Sequence, residues 1–150
     1  MPLFDNSTLT KLELGWLAGL FDGEGHIGIH RSKSMKCTCR KCSITNTNLG
    51  IINECSRLLH KINVFHIVYK NKDNAQRKGG YKQCYTIRID RTAEMAYLMG
   101  MLSPYLKSTD KQLSILRVLS QIENMRRSDG KKPNCRKRKE NPTQLQLVYG

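Results

Sequence analysis

Four glycines fall within the eleven-residue stretch GWLAGLFDGEG, at positions 15, 19, 23 and 25, inside a segment whose surroundings otherwise have the pattern of a helix. A glycine in a helix interior costs about 1 kcal/mol relative to alanine, so the stretch calls for a compensating gain. Gly15, Gly19 and Gly23 recur every four residues and therefore share one helix face, with Ala18 beside them. A face of hydrogens and one methyl lets a second backbone approach closely. The pattern is best known from membrane helices, but Glu13, Asp22, Glu24 and the shortness of the apolar run exclude that setting. A helix packing only against its own sheet does not need three glycines in register. The same stretch ends in two carboxylates, Asp22 and Glu24.

The flanking sequence supplies a scaffold for this helix. Thr10-Lys-Leu-Glu13 fits a capping box, which predicts a helix from about Lys11 to Asp22. Leu12, Trp16, Leu17 and Leu20 supply apolar positions around it, and Asp-Gly-Glu-Gly ends it through a left-handed glycine. Gly25 to Arg31 alternates as a strand does, with Ile27 and Ile29 on the core side and His26, Gly28 and His30 facing away. Cys37 to Thr45 is a second strand. A helix to about Lys61 follows, its inner stripe Leu49, Ile52, Cys55, Leu58, Leu59 and Ile62. The pattern then repeats coarsely. Phe65 to Lys70 is a third strand, NKDNAQRKGG a polar basic loop, and YKQCYTIRI a fourth strand with Tyr85, Ile87 and Ile89 opposite Cys84, Thr86 and Arg88. Asp90 is placed to cap a third helix to about Leu102. Thr109-Asp-Lys-Gln112 reads as a second capping box, opening a fourth helix through Leu113, Leu116, Leu119 and Ile122. Residues 1–125 form one α+β domain, and residues 126–150 a basic tail suited to sequence-independent phosphate contact.

Charge points to the partner. Lys and Arg number 26 against 12 Asp and Glu, a formal net charge of +14, which draws the chain to polyanions, nucleic acid before anionic membrane. No run of about 18 apolar residues is present, so no membrane span is expected. The N-terminal residues lack the basic-then-apolar order of a secretory signal. The six cysteines are therefore expected as reduced thiols in an intracellular compartment. Cys37, Cys39 and Cys42 form C-x-C-x-x-C, with His26 and His30 the nearest further ligands in sequence. Plain strand cysteines are preferred to a zinc site, because the usual two separated pairs are missing.

Leu17-Ala18-Gly19-Leu20-Phe21-Asp22-Gly23-Glu24-Gly25 closely resembles the LAGLIDADG motif of homing endonucleases. The capped helix before it, the strand after it and the αββαββα-like order resemble that family over roughly the first 120 residues. The motif occurs once, and single-motif members of the family act as homodimers. The resemblance implies the LAGLIDADG homing-endonuclease fold, a saddle-shaped antiparallel DNA-binding sheet with helices on its other face. It implies a dimer interface through Gly15, Ala18, Gly19 and Asp22, with Asp22 steadying the helix end. It further implies that the Glu24 carboxylate and the Gly23 carbonyl bind Mg2+, two or more ions serving the dimer's active site. Two metal positions flanking a phosphate activate water and neutralise charge on the attacking and leaving oxygens. Asn46, at the end of the second strand, takes the place of the family's water-positioning residue. The family's lysine position after the Pro-aromatic-Leu segment falls on Thr109, a departure for which Lys107, or Lys111, substitutes; Lys107 is the catalytic candidate.

The implied substrate is a long, near-palindromic double-stranded DNA target, cut in both strands. The sheet's open face would enter the major groove. The candidate contacts are His26, His30, Ser32, Lys41, Ser43 and Lys70, with Thr86 and Arg88. Loop bases Lys72, Arg77 and Lys78 would contact phosphates, which position without specifying. A non-cleaving nucleic-acid binder on the same fold, an intron-RNA maturase or a DNA-binding regulator, is the alternative.

Overall fold

The computed structural model describes residues 9–31, 38–71 and 82–127. Their order is α1 (Lys11–Glu24), β1 (Gly25–Arg31), β2 (Thr38–Asn46), α2 (Leu49–Lys61), β3 (Ile67–Lys70), β4 (Tyr85–Ile89), α3 (Thr92–Leu102), a 3-10 turn (Ser103–Tyr105) and α4 (Thr109–Arg127). Ser32, Cys37, Lys72, Arg77, Lys78 and residues 128–150 lie outside the described residues.

α1 starts as its sequence dictates. Thr10 Oγ1 accepts from the Glu13 backbone N–H at 3.1 Å, and the Thr10 N–H donates to the Glu13 carboxylate at 2.8 Å. It ends later than expected, and differently. The helix runs to Glu24, and Gly25 has φ −71° and ψ 140°, extended rather than left-handed. Space, not handedness, demands a glycine here. A Cβ at position 25 would lie 2.5 Å from the Phe21 carbonyl oxygen and 2.9 Å from Phe21 Cα, and Phe21 is buried in the core. The helix therefore passes into β1 with no residue between them.

The four strands form one antiparallel sheet in the order β1-β2-β4-β3. Register aligns Ile27 with Cys42 and Cys42 with Ile89, and Ile44 with Ile87. Strand side chains alternate between faces, so these residues build one apolar face, all of them buried. The helices cover it with Leu17 and Phe21 of α1, Ile52, Cys55 and Leu59 of α2, and Ile115 and Val118 of α4. Fully burying each such side chain stabilises the fold by about 1.5–3 kcal/mol. Ile29, expected in the core, is instead 37% exposed. Its cross-strand partner is Arg40, whose guanidinium donates to Thr92 Oγ1 at 2.9 Å and reaches Met125 Sδ. That end of the apolar face is thus taken by a cation, and Ile29 lies at its rim.

α2 carries the expected stripe. Asn48 Oδ1 caps its first turn through the Gly50 and Ile51 N–H groups, at 2.9 and 3.4 Å. Its last carbonyls are satisfied by Asn63 N–H to His60 O and Val64 N–H to Leu59 O, with Asn63 left-handed at φ 56°. Two other helix starts depart from expectation. Asp90 does not cap α3; it pairs with Arg88 at 2.9 Å, and Arg91 takes the cap position without a side-chain bond. α4 is capped by Ser108, one residue before the predicted box: its Oγ accepts from the Lys111 N–H at 3.4 Å and its carbonyl from the Gln112 N–H at 3.0 Å. α4 buries Ile115, Val118 and Ile122, while Leu113 and Leu116 face outward, Leu116 at 61% exposed. Among the described residues no helix is long and apolar enough to cross a membrane.

Candidate functional site

Residues three and four apart on a helix are neighbours, and α1 divides accordingly. Leu17, Ala18 and Phe21 face the core. Leu12, Gly15, Trp16, Gly19 and Gly23 lie on the outer side. Among the described residues a Cβ built on Gly15, Gly19 or Gly23 meets nothing within 4 Å, so no described element covers this face. Leu12 is 83% exposed and Trp16 39%. Ala18 departs from its expected place on this face: at 1% exposed it belongs to the chain's own core and leaves no surface for a partner. Asp22, also read as an interface residue, is engaged within the chain. Its carboxylate accepts from the Lys107 and Ser108 backbone N–H groups at 2.7 and 3.1 Å. It therefore ties the last turn of α1 to the start of α4.

The end of α1 brings the acidic candidate to the sheet. Glu24 is the last helical residue and is exposed, as is Gly23. The Lys111 ammonium donates to the Gly25 carbonyl, so Lys111 reaches this junction through its side chain. Lys107, the lysine singled out from sequence, is exposed, and its contact with α1 is through its backbone N–H. Asn46 ends β2, and the β1–β2 register, Gly25 opposite Ile44, puts it at the same end of the sheet as Glu24. Its Oδ1 accepts from the Asn48 N–H at 2.8 Å, which fixes the amide's orientation.

The face of the sheet away from the core is polar. Parity and register place His26, His30, Lys41, Ser43, Thr86 and Arg88 on it together. Lys70 is the exception. It is paired with Tyr85, on the parity of Ile87, so it lies toward the helix side of the edge strand. Tyr69 and Thr45 take places on the polar face that sequence reading missed. Ser43 and Thr86 are buried there at 4% each. Ser43 lies between His26 and Arg88 in register. Thr86 shares a 2.8 Å hydrogen bond with Thr45 and donates to Asn71 Oδ1 at 2.8 Å. These hydroxyls form a floor, and the longer side chains stand above it. Arg88 stacks its guanidinium 5.8 Å from the Tyr69 ring centroid while paired with Asp90. Burial first, then the neighbouring Lys41, His30 and Lys111, push the His26 imidazole below its ordinary pKa of 6.5. Its neutral form is favoured in an otherwise basic setting.

Among the described residues, Cys39 and Cys42 of the cysteine motif do not come together. Cys39 is exposed on the polar face and Cys42 is wholly buried on the other, its thiol pushed up to about 12 by burial. Alternation along β2 puts them on opposite faces of the sheet. Among the described residues no group of three or more His, Cys, Asp or Glu is placed to hold a metal ion.

Comparison with known proteins gives a consistent picture. The family model described as a LAGLIDADG-like domain matches residues 11–98. Over 69 residues, 46% of this chain, the sequence is 33% identical to an uncharacterized protein of Methanocaldococcus jannaschii, of whose length the match spans 26%. Among solved structures, the homing endonuclease I-CvuI in complex with its target superposes with a TM-score of 0.58 at 19% identity, covering 77% of this chain and 68% of that one. The intron-encoded homing endonuclease I-CeuI complexed with DNA gives 0.58 at 13% identity, over 82% of this chain and 59% of that one. The homing endonuclease I-TnaI gives 0.56 at 17%, over 76% and 74%. At these identities the likeness is one of fold.

Proposed function

This chain belongs to the family of LAGLIDADG-like domains, and on that footing we propose that it is a site-specific homing endonuclease. As a homodimer it makes a double-strand break in a long, near-palindromic DNA target by magnesium-dependent hydrolysis of phosphodiesters. The observation that carries this reading is the open glycine face of α1 ending in an exposed carboxylate at the root of a polar strand. Structures similar in fold include complexes of I-CvuI and I-CeuI with DNA, and the net charge of +14 suits the same partner.

Each residue then has a task. Gly15, Gly19 and Gly23 admit the second chain's α1, while Asp22 holds the helix end against the start of α4. The Glu24 carboxylate and the Gly23 carbonyl are hard oxygen donors, the set magnesium prefers, and one carboxylate per chain suffices where phosphate oxygens and water complete the shell. Bound there, the metal supplies water activation and charge neutralisation at the scissile phosphate. Lys111, held at the Gly25 carbonyl, brings a positive charge to the developing anion in place of the lysine absent at position 109. Asn46, its oxygen already engaged, keeps an NH2 group to orient water. His26, His30, Lys41, Arg88 and Tyr69 read the target, and the basic segment beyond α4 contacts phosphates.

The test is to challenge a randomised duplex library with the purified chain and magnesium. Cleavage of both strands at one near-palindromic site is expected, and Glu24→Gln should abolish it with dimer and binding retained. Binding without cleavage, or a preference for intron RNA over duplex DNA, would instead establish a non-cleaving binder on this fold.

A further inference from the structure

His26 and His30 are four residues apart on β1, a separation of about 13 Å along an ideal strand. Their rings nevertheless meet end to end, with centroids 5.1 Å and planes 26° apart and Nε2 atoms 2.9 Å apart. Gly28 lies between them on the same face and leaves room for the approach. It has no side chain, and a Cβ added there would stand 3.8 Å from His26 Nε2. The two imidazoles lean together over the space above Gly28, where a Cβ would sit in ordinary contact and a branched side chain would reach in between them. Both are exposed, on the polar face of the sheet.

We propose that His26 and His30 form a two-imidazole clip for a divalent transition-metal ion of the Ni2+ or Cu2+ kind, separate from the oxygen donors assigned to magnesium. Two nitrogens about 2.1 Å from an ion and at right angles to each other stand about 3.0 Å apart, close to the spacing here; the nitrogens face each other as they stand, and a turn of each exposed ring by roughly 30° aims both at one ion. A tetrahedral ion needs a wider separation of about 3.4 Å at the same bond length, so the clip favours tetragonal or octahedral ions over Zn2+. Imidazole nitrogen suits such ions, whereas Mg2+ prefers oxygen and does not compete. No third His, Cys, Asp or Glu joins the pair among the described residues. Water therefore fills the remaining positions, which face outward, where a phosphate oxygen or a purine nitrogen can displace it. The clip rests on β1 alone and stands whether or not the chain cleaves DNA.

NMR of the full chain in excess Mg2+, with substoichiometric Ni2+ added, tests this directly. Paramagnetic broadening should strike the His26 and His30 imidazoles together and leave His60 and His66 sharp. Calorimetry should find one Ni2+ per chain. Either His26→Gln or His30→Gln should weaken it at least about tenfold. Gly28→Val should do the same with both imidazoles kept, and Cys39→Ser, across from His30, should not. Broadening that spares either imidazole of the pair, or Ni2+ affinity that survives both glutamine variants, overturns the proposal. In that case the 2.9 Å approach is a shared hydrogen bond and nothing more.

Discussion

Gly19→Leu separates what α1 does for its own chain from what it does for a second one. Among the described residues nothing lies within 4 Å of a Cβ placed on Gly19, so a leucine can be accommodated there. Leucine is favoured over glycine in a helix interior by about 0.7 kcal/mol. The isolated chain should therefore gain that stability, about 2 °C in melting temperature for a chain of this size. In a dimer packed through this face the same leucine is an intrusion. Overpacking costs about 1–3 kcal/mol per site, and two-fold symmetry imposes it twice. The dimer should dissociate about 30-fold more readily at the least. Sedimentation equilibrium over a concentration series measures the second effect. Urea denaturation at concentrations where the wild type is monomeric measures the first. Opposite signs in the two assays are the expected result. A destabilised monomer would show that the face is not open, and an unchanged dimer would show that it is not the interface.

Three further outcomes follow from the geometry. Gly25→Ala places a methyl 2.5 Å from the Phe21 carbonyl oxygen and should cost about 2–3 kcal/mol in denaturant unfolding; a loss below about 0.5 kcal/mol would mean that the junction yields easily. Asp22→Ala strands the Lys107 and Ser108 N–H groups and should cost about 2 kcal/mol, with amide exchange at 107 and 108 accelerated; unchanged exchange would remove Asp22 from that role. Stability should fall on acidification in two stages. Burial holds His66 below its ordinary 6.5, its Nε2 2.5 Å from Ser56 Oγ and its Nδ1 donating to the Val64 carbonyl at 2.8 Å. The unfolded chain takes up this proton more readily, so the contribution is whole above pH 6.5 and lost as pH drops from there toward the folded pKa. His26, lowered in the same direction, adds to it. Glu13 is lowered from 4.5 to about 2 by the Thr10 N–H, then by Lys61 and Arg57; its contribution is whole above 4.5 and lost toward 2. Melting temperatures from pH 8 to 3 check both stages, and His66→Gln should flatten the first; a rise in stability between pH 7 and 5.5 would contradict the assignment.

Local rules carried much of the fold. The Thr10–Glu13 box is legible because both partners are three residues apart, and the stripe of α2 because one face of it is wholly covered by this chain. Periodicity identifies an apolar face but not what covers it. Leu12, Leu113 and Leu116 fit helical stripes and yet are exposed, since no element among the described residues packs there. Lys70 was misplaced for a related reason: isoleucine, valine and tyrosine follow one another in β3, so alternation is silent, and only pairing with β4 sets its parity. Lys111 lies 86 residues from Gly25 and meets it through a long side chain across the end of α4. No local pattern reports such a contact. The Ser108 cap was hidden likewise, because part of its environment is Asp22 on another helix.

The direct passage from Glu24 to Gly25 has a consequence for how such a chain can change. With no spacer between helix and strand, the parity of β1 is slaved to the length of α1. One residue inserted at that seam would turn over every side chain of β1, sending His26 and His30 beneath the helices and Ile27 into solvent. The acid and the side chains beside it on the strand are therefore a single mechanical part, open to exchange of residues but closed to any change of length.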